Sequence, residues 1–539
     1  MSKKRLISGG LVLSISFIIS LIIEKFIFPD EPMNFVRLLI NFGISAILIT
    51  LFVFINNIIY KNDVDSKIIN KFKNVTINKV FICISAIIGV TFSFCFPLTQ
   101  IPDEITHINM IYEERNLDIK FSDIDDGYSG YESLSKNDHN KVNKNKYFDL
   151  SKKVDIGLKL SIPNLTIIRH FPQYIGMLIG EMLHLPVFLY LTLCELFALA
   201  FYIIICNLAL KKIPFKKSLM MFIMLLPICC QQMSSFSYDV VLNSFCFLFI
   251  AYIMNLKFSK EKITVNDIFI LLAFLLIISI CKVPYAILGL LVFILPLHKF
   301  EFKTKKKTIT FENIKTIISK HKTFYLIFAI VLAIMFCIVA YQILSRIYIG
   351  KVLLASIFNL TDTLQLYKRS IDIFLPYYLE TIVGNLGIFN VDISLLFEIF
   401  VYISLILVTF FNYKIVKNRL KVEKINFSKK DYIIIYSIVI LFIYLIILSM
   451  FEWTLYCTKI PNYKSLSIAE LGDYINRLPY IGGVQGRYFV PILPLILLPL
   501  SSFKITDKLL RINPIVYQII YYVVLYVYLV IVLLNRYWI

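Results

Sequence analysis

Long apolar stretches alternate with short polar segments along the whole chain. A membrane-spanning helix needs about 20 mainly apolar residues. Measured against that length, the pattern predicts about thirteen membrane crossings. The predicted spans are 6–23, 36–59, 80–97, 187–208, 218–232, 239–256, 267–281, 284–298, 324–344, 395–413, 431–451, 488–503 and 514–535.

Composition supports this interpretation. Of the 539 residues, 58% are hydrophobic and 17% charged, and the mean hydropathy is +0.77. Soluble domains carry about 45–50% apolar and about 25% charged residues. Because backbone groups inside a bilayer must satisfy their hydrogen bonds within the protein, the spans are expected to be helical. We therefore predict an all-α integral membrane protein, with residues 1–539 forming one polytopic domain.

The net charge of +20 is distributed unevenly between the segments that separate the spans. One alternating set holds about 33 Lys and Arg residues and the other about 19, and cytoplasmic loops are the Lys/Arg-rich ones. This asymmetry predicts that the N-terminus lies inside and the C-terminus outside. No basic domain with interleaved aromatic residues accompanies it, so the charge does not indicate nucleic-acid binding. The predicted inner segments are 1–5, 60–79, 209–217, 257–266, 299–323, 414–430 and 504–513.

Three long segments fall on the predicted outer side: 98–186, 346–394 and 452–487. The first is the longest polar stretch and is expected to be a large extracytoplasmic loop with short or amphipathic helices. Its end, from His170 to Leu185, is amphipathic and is expected to lie at the membrane surface. A working surface on the outer side would be built from these three segments.

The first outer segment begins with a group of ionisable residues, Asp103, Glu104 and His107. Pro102 can start a helix, which would place Asp103 and His107 one turn apart. One interpretation is a helix cap, with acids at the positive end of the helix dipole. The other is a catalytic cluster, or a partial site for a divalent cation such as Mg or Mn, because these side chains supply oxygen and nitrogen ligands.

Two charges, Asp239 and Lys282, are predicted at outer turns next to apolar stretches. Charges at membrane depth are costly and indicate a functional site unless they are paired. An Asp239–Lys282 ion pair between neighbouring hairpins is one interpretation. The other is that Lys282 binds phosphate.

A glycine-rich segment, 482–488, leads into the span at 488–503 and contains Gln485, Arg487 and Tyr488. Glycine lets backbone approach a ligand closely. The planar guanidinium of Arg487 suits phosphate oxygens. An interfacial anchor is the alternative role for this arginine.

Five short motifs, in this order, resemble the DUF2142 family of predicted bacterial membrane proteins, which is similar to the GT-C superfamily of polytopic glycosyltransferases. The resemblance covers residues from about 80 to about 505. The motifs are Pro102-Asp103-Glu104-x-x-His107, Ser235-Phe-Ser-Tyr-Asp239, Lys282-Val-Pro-Tyr285, Gly384-Asn-Leu-Gly-Ile-Phe389 and Gln485-Gly-Arg487-Tyr488.

The resemblance implies a GT-C-like glycosyltransferase in the bacterial cytoplasmic membrane, with its active site facing outside. It would move a sugar from a polyprenyl-phosphate-linked donor in the bilayer to a cell-envelope glycan. Asp103 matches the catalytic carboxylate, with Glu104 as the close alternative. General base catalysis would fall to Asp103 and its orientation to His107, while Arg487 and Lys282 would stabilise the leaving phosphate. The expected substrate-binding residues are Asp239, Lys282, Tyr285, Gln485, Arg487 and Tyr488.

Two other functions fit the same residues. A transporter or flippase of lipid-linked glycans would use the basic residues without needing a carboxylate base, although transporters often show internal repeats and none is clear in this sequence. A non-catalytic subunit of an envelope-assembly complex would use the polar groups only to cap helices.

Overall fold

A computed structural model describes most of the chain beyond residue 75. The described residues are 76–124, 141–142, 144–148, 150–151, 161–303, 308–310, 341–391, 393–410, 413–416, 419–422, 426–501 and 514–539, with Leu39, Phe42 and Met335. The predicted spans 6–23, 36–59 and 324–344 lie outside this set, apart from those three single residues and 341–344. Their membrane crossings therefore stay predictions.

Helices account for nearly all of the described secondary structure. Five 3₁₀ segments accompany the α-helices: Leu165–His170, Val283–Ile294, Leu297–Lys299, Tyr463–Ser465 and Gly486–Ile492. The α-helices are α1 Ile77–Cys95, α2 Glu104–Glu114, α3 Phe121–Ile124, α4 Lys144–Tyr147, α5 Phe171–Met182, α6 Val187–Lys212, α7 Lys217–Met224, α8 Pro227–Gln232, α9 Asp239–Phe258, α10 Val265–Cys281, α11 Tyr348–Phe358, α12 Leu360–Val383, α13 Leu395–Phe410, α14 Lys429–Ser449, α15 Phe451–Cys457, α16 Ile468–Arg477, α17 Leu493–Leu500 and α18 Pro514–Tyr537.

Five helical stretches within the described residues are long and apolar enough to cross a membrane. They coincide with five of the predicted spans. Further predicted spans correspond to shorter apolar helices, among them α10, α13 and the stretch from Gly486 to Leu500. The long stretches are Ile77–Cys95, Val187–Lys212, Asp239–Phe258, Lys429–Cys457 and Ile515–Tyr537.

The predicted span 218–232 is not one continuous helix. It is divided into α7 and α8, with Leu225 and Leu226 between them and Pro227 at the start of α8. Proline has no N–H to donate and its ring clashes with a preceding helical turn, so a helix cannot run through it undisturbed. Apolar length alone did not reveal this break.

The expectation of an all-α chain holds for the apolar stretches but needs a correction in two polar segments. Strands β1 (Glu301–Lys303) and β2 (Thr308–Thr310) form an antiparallel hairpin, and β3 (Tyr413–Val416) and β4 (Arg419–Val422) form another. Apart from Tyr413, the last residue of the predicted span 395–413, both lie in segments that the charge pattern assigns to the inner side. Short hairpins of this kind satisfy backbone groups locally in loops that contact water.

Helix α9 is the central helix of the fold. Within its apolar 18-residue window 94% of the residues are buried, compared with 33% for the window of α18. It packs against α6 and α10, and α6 also packs against α1 and α5. The close crossing of α5 and α6 requires Gly176, because a Cβ there would lie 2.6 Å from the Cα of Cys194. The first residue of α9, Asp239, is buried in this packing, with 6% of its surface exposed.

A buried ion pair within the first long outer segment joins its beginning to α5, which packs on α6 of the helical core. Arg115, which follows α2, donates two hydrogen bonds to the carboxylate of Glu181 in α5, at 2.5 and 2.7 Å. The hydroxyl groups of Tyr112 and Tyr190 lie 2.5 Å apart beside this pair. A two-point guanidinium–carboxylate contact fixes orientation as well as distance. Helix α2 is therefore held in a defined position over the core.

Candidate functional site

Arg487 lies between two carboxylates from distant parts of the chain. Its Nη2 donates to Oδ2 of Asp103 at 2.9 Å, and its Nη1 lies 3.7 Å from Oδ2 of Asp239. The side chains of Arg487 and Asp239 are 5% and 8% exposed, whereas the Asp103 side chain is 60% exposed. The guanidinium is thus buried, and of its two carboxylate partners Asp239 is buried and Asp103 is exposed.

A 3₁₀ segment, Gly486–Ile492, positions Arg487 against helix α12. A Cβ at Gly486 would clash with the carbonyl oxygen of Tyr378 and lie 2.5 Å from the nitrogen of Ile382, so only glycine allows this approach. The hydroxyl of Tyr285 donates to the carbonyl oxygen of Tyr488 at 2.7 Å. Tyr285 therefore supports the backbone of the segment, with its hydroxyl directed at the main chain.

Asp103 occupies the N-cap position of α2, but its side chain makes no capping hydrogen bond. Its backbone is left-handed, with φ of 65°, a conformation that Asp and Asn tolerate better than most residues. The carboxylate binds Arg487, 384 residues away. The helix-cap interpretation is therefore right about the position of Asp103, but its carboxylate binds Arg487 and does not cap the helix.

Asp239 is held by amide side chains as well as by Arg487. Nε2 of Gln232 donates to its Oδ2 at 2.9 Å, and Oε1 of Gln232 accepts from Asn243 at 3.1 Å. Among the described residues Asp239 forms no direct ion pair with Lys282 within 4.0 Å, so the simple pair considered from the sequence is not present. A buried carboxylate with this fixed support keeps its position when other groups move.

Lys282 contacts the aromatic ring of Tyr488. Its Nζ lies 3.5 Å from the ring centroid, a cation–π contact. Burial lowers the pKa of Lys282 to about 8, partly offset by the negative charges of Asp239 and Asp103. With the described residues, its ammonium makes no hydrogen bond or ion pair. We call Asp103, Asp239, Lys282, Arg487 and Tyr488 the Arg487 cluster.

Two polar atoms of the 485–487 segment lack hydrogen-bond partners among the described residues. They are Oε1 of Gln485 and Nε of Arg487, and both are buried. Leaving a buried polar atom unpaired is costly, and such atoms call for an explanation in each case. The segment therefore holds one unused acceptor, on Gln485, and one unused donor, on the guanidinium that pairs with Asp103.

Glu104 lies in a different environment from its neighbour Asp103. It is 2% exposed, and its Oε1 and Oε2 accept the backbone N–H groups of Phe236 and Ile101 at 3.2 and 3.4 Å. Burial raises the pKa of Glu104 to about 7 in spite of these hydrogen bonds. Glu104 thus links α2 to the turn before α9, and its buried carboxylate accepts backbone N–H groups, whereas that of Asp103 pairs with Arg487.

His107 belongs to a buried chain of hydrogen bonds that sequence reasoning missed. Its Nδ1 lies 3.0 Å from Nε2 of His170, and Nδ1 of His170 lies 2.9 Å from Oε2 of Glu114. Nε of Arg169 donates to the other oxygen of Glu114. Burial lowers the pKa of His107 and of His170, which favours the neutral form of both rings.

A signal for part of this chain was present in the sequence. His107 and Glu114 are seven residues apart and therefore share one face of α2 after two turns. The face is buried, and the His170 that completes the chain comes from a distant 3₁₀ segment. Only the tertiary structure brings that second histidine to the first.

The three residues considered as metal ligands do not form one ligand set. Asp103 binds Arg487, Glu104 accepts backbone N–H groups, and His107 pairs with His170. Across the residues that the structure describes, no group of three or more His, Cys, Asp or Glu side chains could hold a metal ion. We therefore derive no step through a divalent cation.

The apolar helices and the buried charges together define a multi-pass helical membrane protein that associates with the lipid bilayer. The chain belongs to the DUF2142 family, described as a predicted membrane protein, whose family model matches residues 86–496. All five residues of the Arg487 cluster fall within the matched region. No curated protein and no solved structure matches the chain.

Proposed function

We propose that this protein is a GT-C-like glycosyltransferase of the bacterial cytoplasmic membrane. It transfers a sugar from a polyprenyl-phosphate-linked donor to a cell-envelope glycan on the extracytoplasmic face. The donor enters laterally from the bilayer, since its lipid chain stays in the membrane, and the acceptor arrives from the aqueous side.

The observation that carries the proposal is a buried Arg487 whose carboxylate partner is exposed. The side chain of Arg487 is 5% exposed and pairs with the carboxylate of Asp103, whose side chain is 60% exposed. Lys282 lies beside it on the ring of Tyr488. Fixed positive groups in a poorly solvated place stabilise a leaving phosphate much better than the same groups in water.

The chemistry assigns a separate role to each group. An acceptor hydroxyl forms a new C–O bond to the anomeric carbon of the sugar, and its proton goes to the carboxylate of Asp103. The bond between the anomeric carbon and the phosphate oxygen breaks, and its electron pair stays on that oxygen. Arg487 and Lys282 stabilise this developing charge, and the released product is polyprenyl phosphate.

Complementation of a deletion strain tests the proposal. The deletion strain should lack a sugar in its envelope glycan, detected by mass spectrometry, and accumulate the corresponding lipid-linked sugar. Wild type should restore the glycan, and Asp103→Asn should reduce transfer at least about 100-fold, the usual effect of losing a general base. The matched control is Asp118→Asn, because Asp118 is an exposed acid just after the same helix.

Two outcomes would contradict the proposal. An envelope glycan that is unchanged by the deletion would exclude a role in its synthesis. Full restoration by Asp103→Asn, with normal membrane levels of the variant, would favour a transporter of lipid-linked glycans, since transport needs the cations and no carboxylate base.

A further inference from the structure

We propose that Asp103 is a displaceable counterion: an incoming phosphate group takes its place on Arg487 and thereby frees the Asp103 carboxylate. The inference rests on the proposed function, because it assigns an order of events to the same site. The ligand class is an anionic phosphate, presented by a lipid headgroup or as a free ion.

The unequal burial of the two carboxylates decides which one leaves. The side chain of Asp239 is 8% exposed and is held by Gln232, whereas that of Asp103 is 60% exposed and has Arg487 as its partner. An ion pair with a solvent-exposed partner is weak, because water competes for the charge. Removing Asp239 would instead leave a buried cation without compensation. Asp103 is therefore the carboxylate that a ligand can replace.

The charges of the cluster balance only while Asp103 is present. Arg487 and Lys282 supply two positive charges, and the buried Asp239 supplies one negative charge. Asp103 provides the remaining negative charge at 2.9 Å from Nη2 of Arg487. A phosphate oxygen bound at that position would restore the same balance, so the exchange leaves no uncompensated charge in a poorly solvated place.

A phosphate group also has more donors available to it than Asp103 uses. Asp103 accepts from Nη2 of Arg487. Nε of Arg487 has no partner among the described residues, and the ammonium of Lys282 rests on the Tyr488 ring. Phosphate oxygens accept several hydrogen bonds at once and suit the planar guanidinium. The exchange therefore engages donors that the ligand-free site leaves unused.

The exchange explains how one residue serves two purposes. A carboxylate bound to a guanidinium is a poor base, and a guanidinium bound to a carboxylate is a poor phosphate ligand. Replacement of Asp103 by phosphate converts both groups to their active form in one event. The donor must consequently bind before the acceptor hydroxyl is deprotonated.

The test measures phosphate affinity without any transfer reaction. The full chain in lipid nanodiscs is titrated with geranylgeranyl phosphate, with inorganic phosphate and with geranylgeraniol. Asp103→Asn should bind geranylgeranyl phosphate about tenfold more tightly than wild type, the gain expected when a competing state of about 90% occupancy is removed. Arg487→Lys should bind it at least about tenfold more weakly.

Controls keep the result interpretable. Asp118→Asn should bind like wild type. Asn tolerates the left-handed backbone at position 103, and Asp103→Ser provides a second uncharged variant that must also bind more tightly. Unchanged or weaker binding by both uncharged variants would overturn the exchange.

The ligand series identifies the source of the phosphate. Tight binding of geranylgeranyl phosphate over inorganic phosphate supports a lipid headgroup, and equal binding of the two overturns the lipid source in favour of free phosphate. Equal binding of geranylgeraniol overturns the phosphate site itself. Tighter binding by Asp103→Asn in a protein whose deletion leaves the envelope glycan unchanged would refute the transferase and retain the exchange.

Discussion

Both ends of helix α9 carry a charged residue in a largely buried environment, but the two charges are paired differently. At the C-terminal end Nζ of Lys257 donates to Oδ1 of Asp431 at 2.7 Å and to the carbonyl oxygen of Ile294 at 3.0 Å. Asp431 also completes the capping box of α14 with Ser428. At the N-terminal end Asp239 faces Arg487, whose Nε has no partner among the described residues.

One end of α9 thus carries an ion pair with a structural role, and the other end carries the candidate functional site. Over its 20 residues, α9 spans about 30 Å. At the Lys257 end the charges pair with each other and with helix ends, so a ligand would find no unpaired charge to bind. At the Arg487 end a buried cation depends on an exposed carboxylate. Buried charge alone is therefore a weak indicator of function, and incomplete pairing with an accessible side is a better one.

The largest expected effect is the loss of the proposed transfer activity in Arg487→Lys. Lysine keeps the charge but lacks the planar fork that contacts two groups at once. We expect transfer to fall about 100-fold, the usual result of removing one preorganised stabilising group, with little change in thermal unfolding. The measurement is sugar incorporation into the envelope glycan of the complemented deletion strain. Arg477→Lys, at an exposed position of α16, is the matched control, and equal activity of the two variants would contradict the role of the guanidinium.

At the other end of α9 we expect a substitution to lower stability and leave activity unchanged. Lys257→Met leaves Asp431, whose side chain is 6% exposed, without its cation, which should lower the free energy of unfolding by about 3 kcal/mol. Activity per folded molecule should stay at the wild-type level. Thermal unfolding in detergent measures the first quantity, with the exposed Lys260→Met as control. A loss of activity at unchanged stability would show that the two ends do not differ as described.

A smaller effect is the pH dependence of the free energy of unfolding that Glu104 causes at the turn before α9. Because the pKa of Glu104 rises from 4.5 to about 7 on folding, the folded protein holds a proton over that range that the unfolded chain releases. Its contribution to the free energy of unfolding is therefore fully present at low pH and falls by roughly 3 kcal/mol as pH rises through this range. Unfolding at pH 5 and pH 7.5 measures the slope. Glu104→Gln should reduce it and the exposed Glu113→Gln should not; equal slopes in the two variants would contradict the assignment.

Sequence patterns predicted where the apolar helices lie, but they did not predict where a helix is interrupted. Five long apolar helices appear where hydropathy placed spans, because burial of about 20 apolar residues dominates all local preferences. The break at Pro227 and the two short hairpins depend on backbone hydrogen bonding, which hydropathy does not report. The orientation of the chain in the membrane stays a prediction from its Lys and Arg distribution.

The candidate site was predicted as separate motifs, without their contacts. Asp103, Asp239, Lys282 and Arg487 were each singled out from the sequence by charge beside apolar segments. Their mutual arrangement could not be predicted, and the expected alternatives of a helix cap and an Asp239–Lys282 pair differ from the contacts found. His170 only marks the start of the amphipathic stretch 170–185 in the sequence, and a single histidine there does not predict a contact with His107.

The sequence by itself determined that this chain is a helical membrane protein and which charges must be accounted for, since the cost of burying charge and the length of a span are local properties. Only the tertiary structure decided that Asp103 meets Arg487 across 384 residues and that Asp239 stays buried while Asp103 is accessible. Pairing and exposure depend on how helices pack around α9, and side-chain spacing along the chain contains no information about that packing.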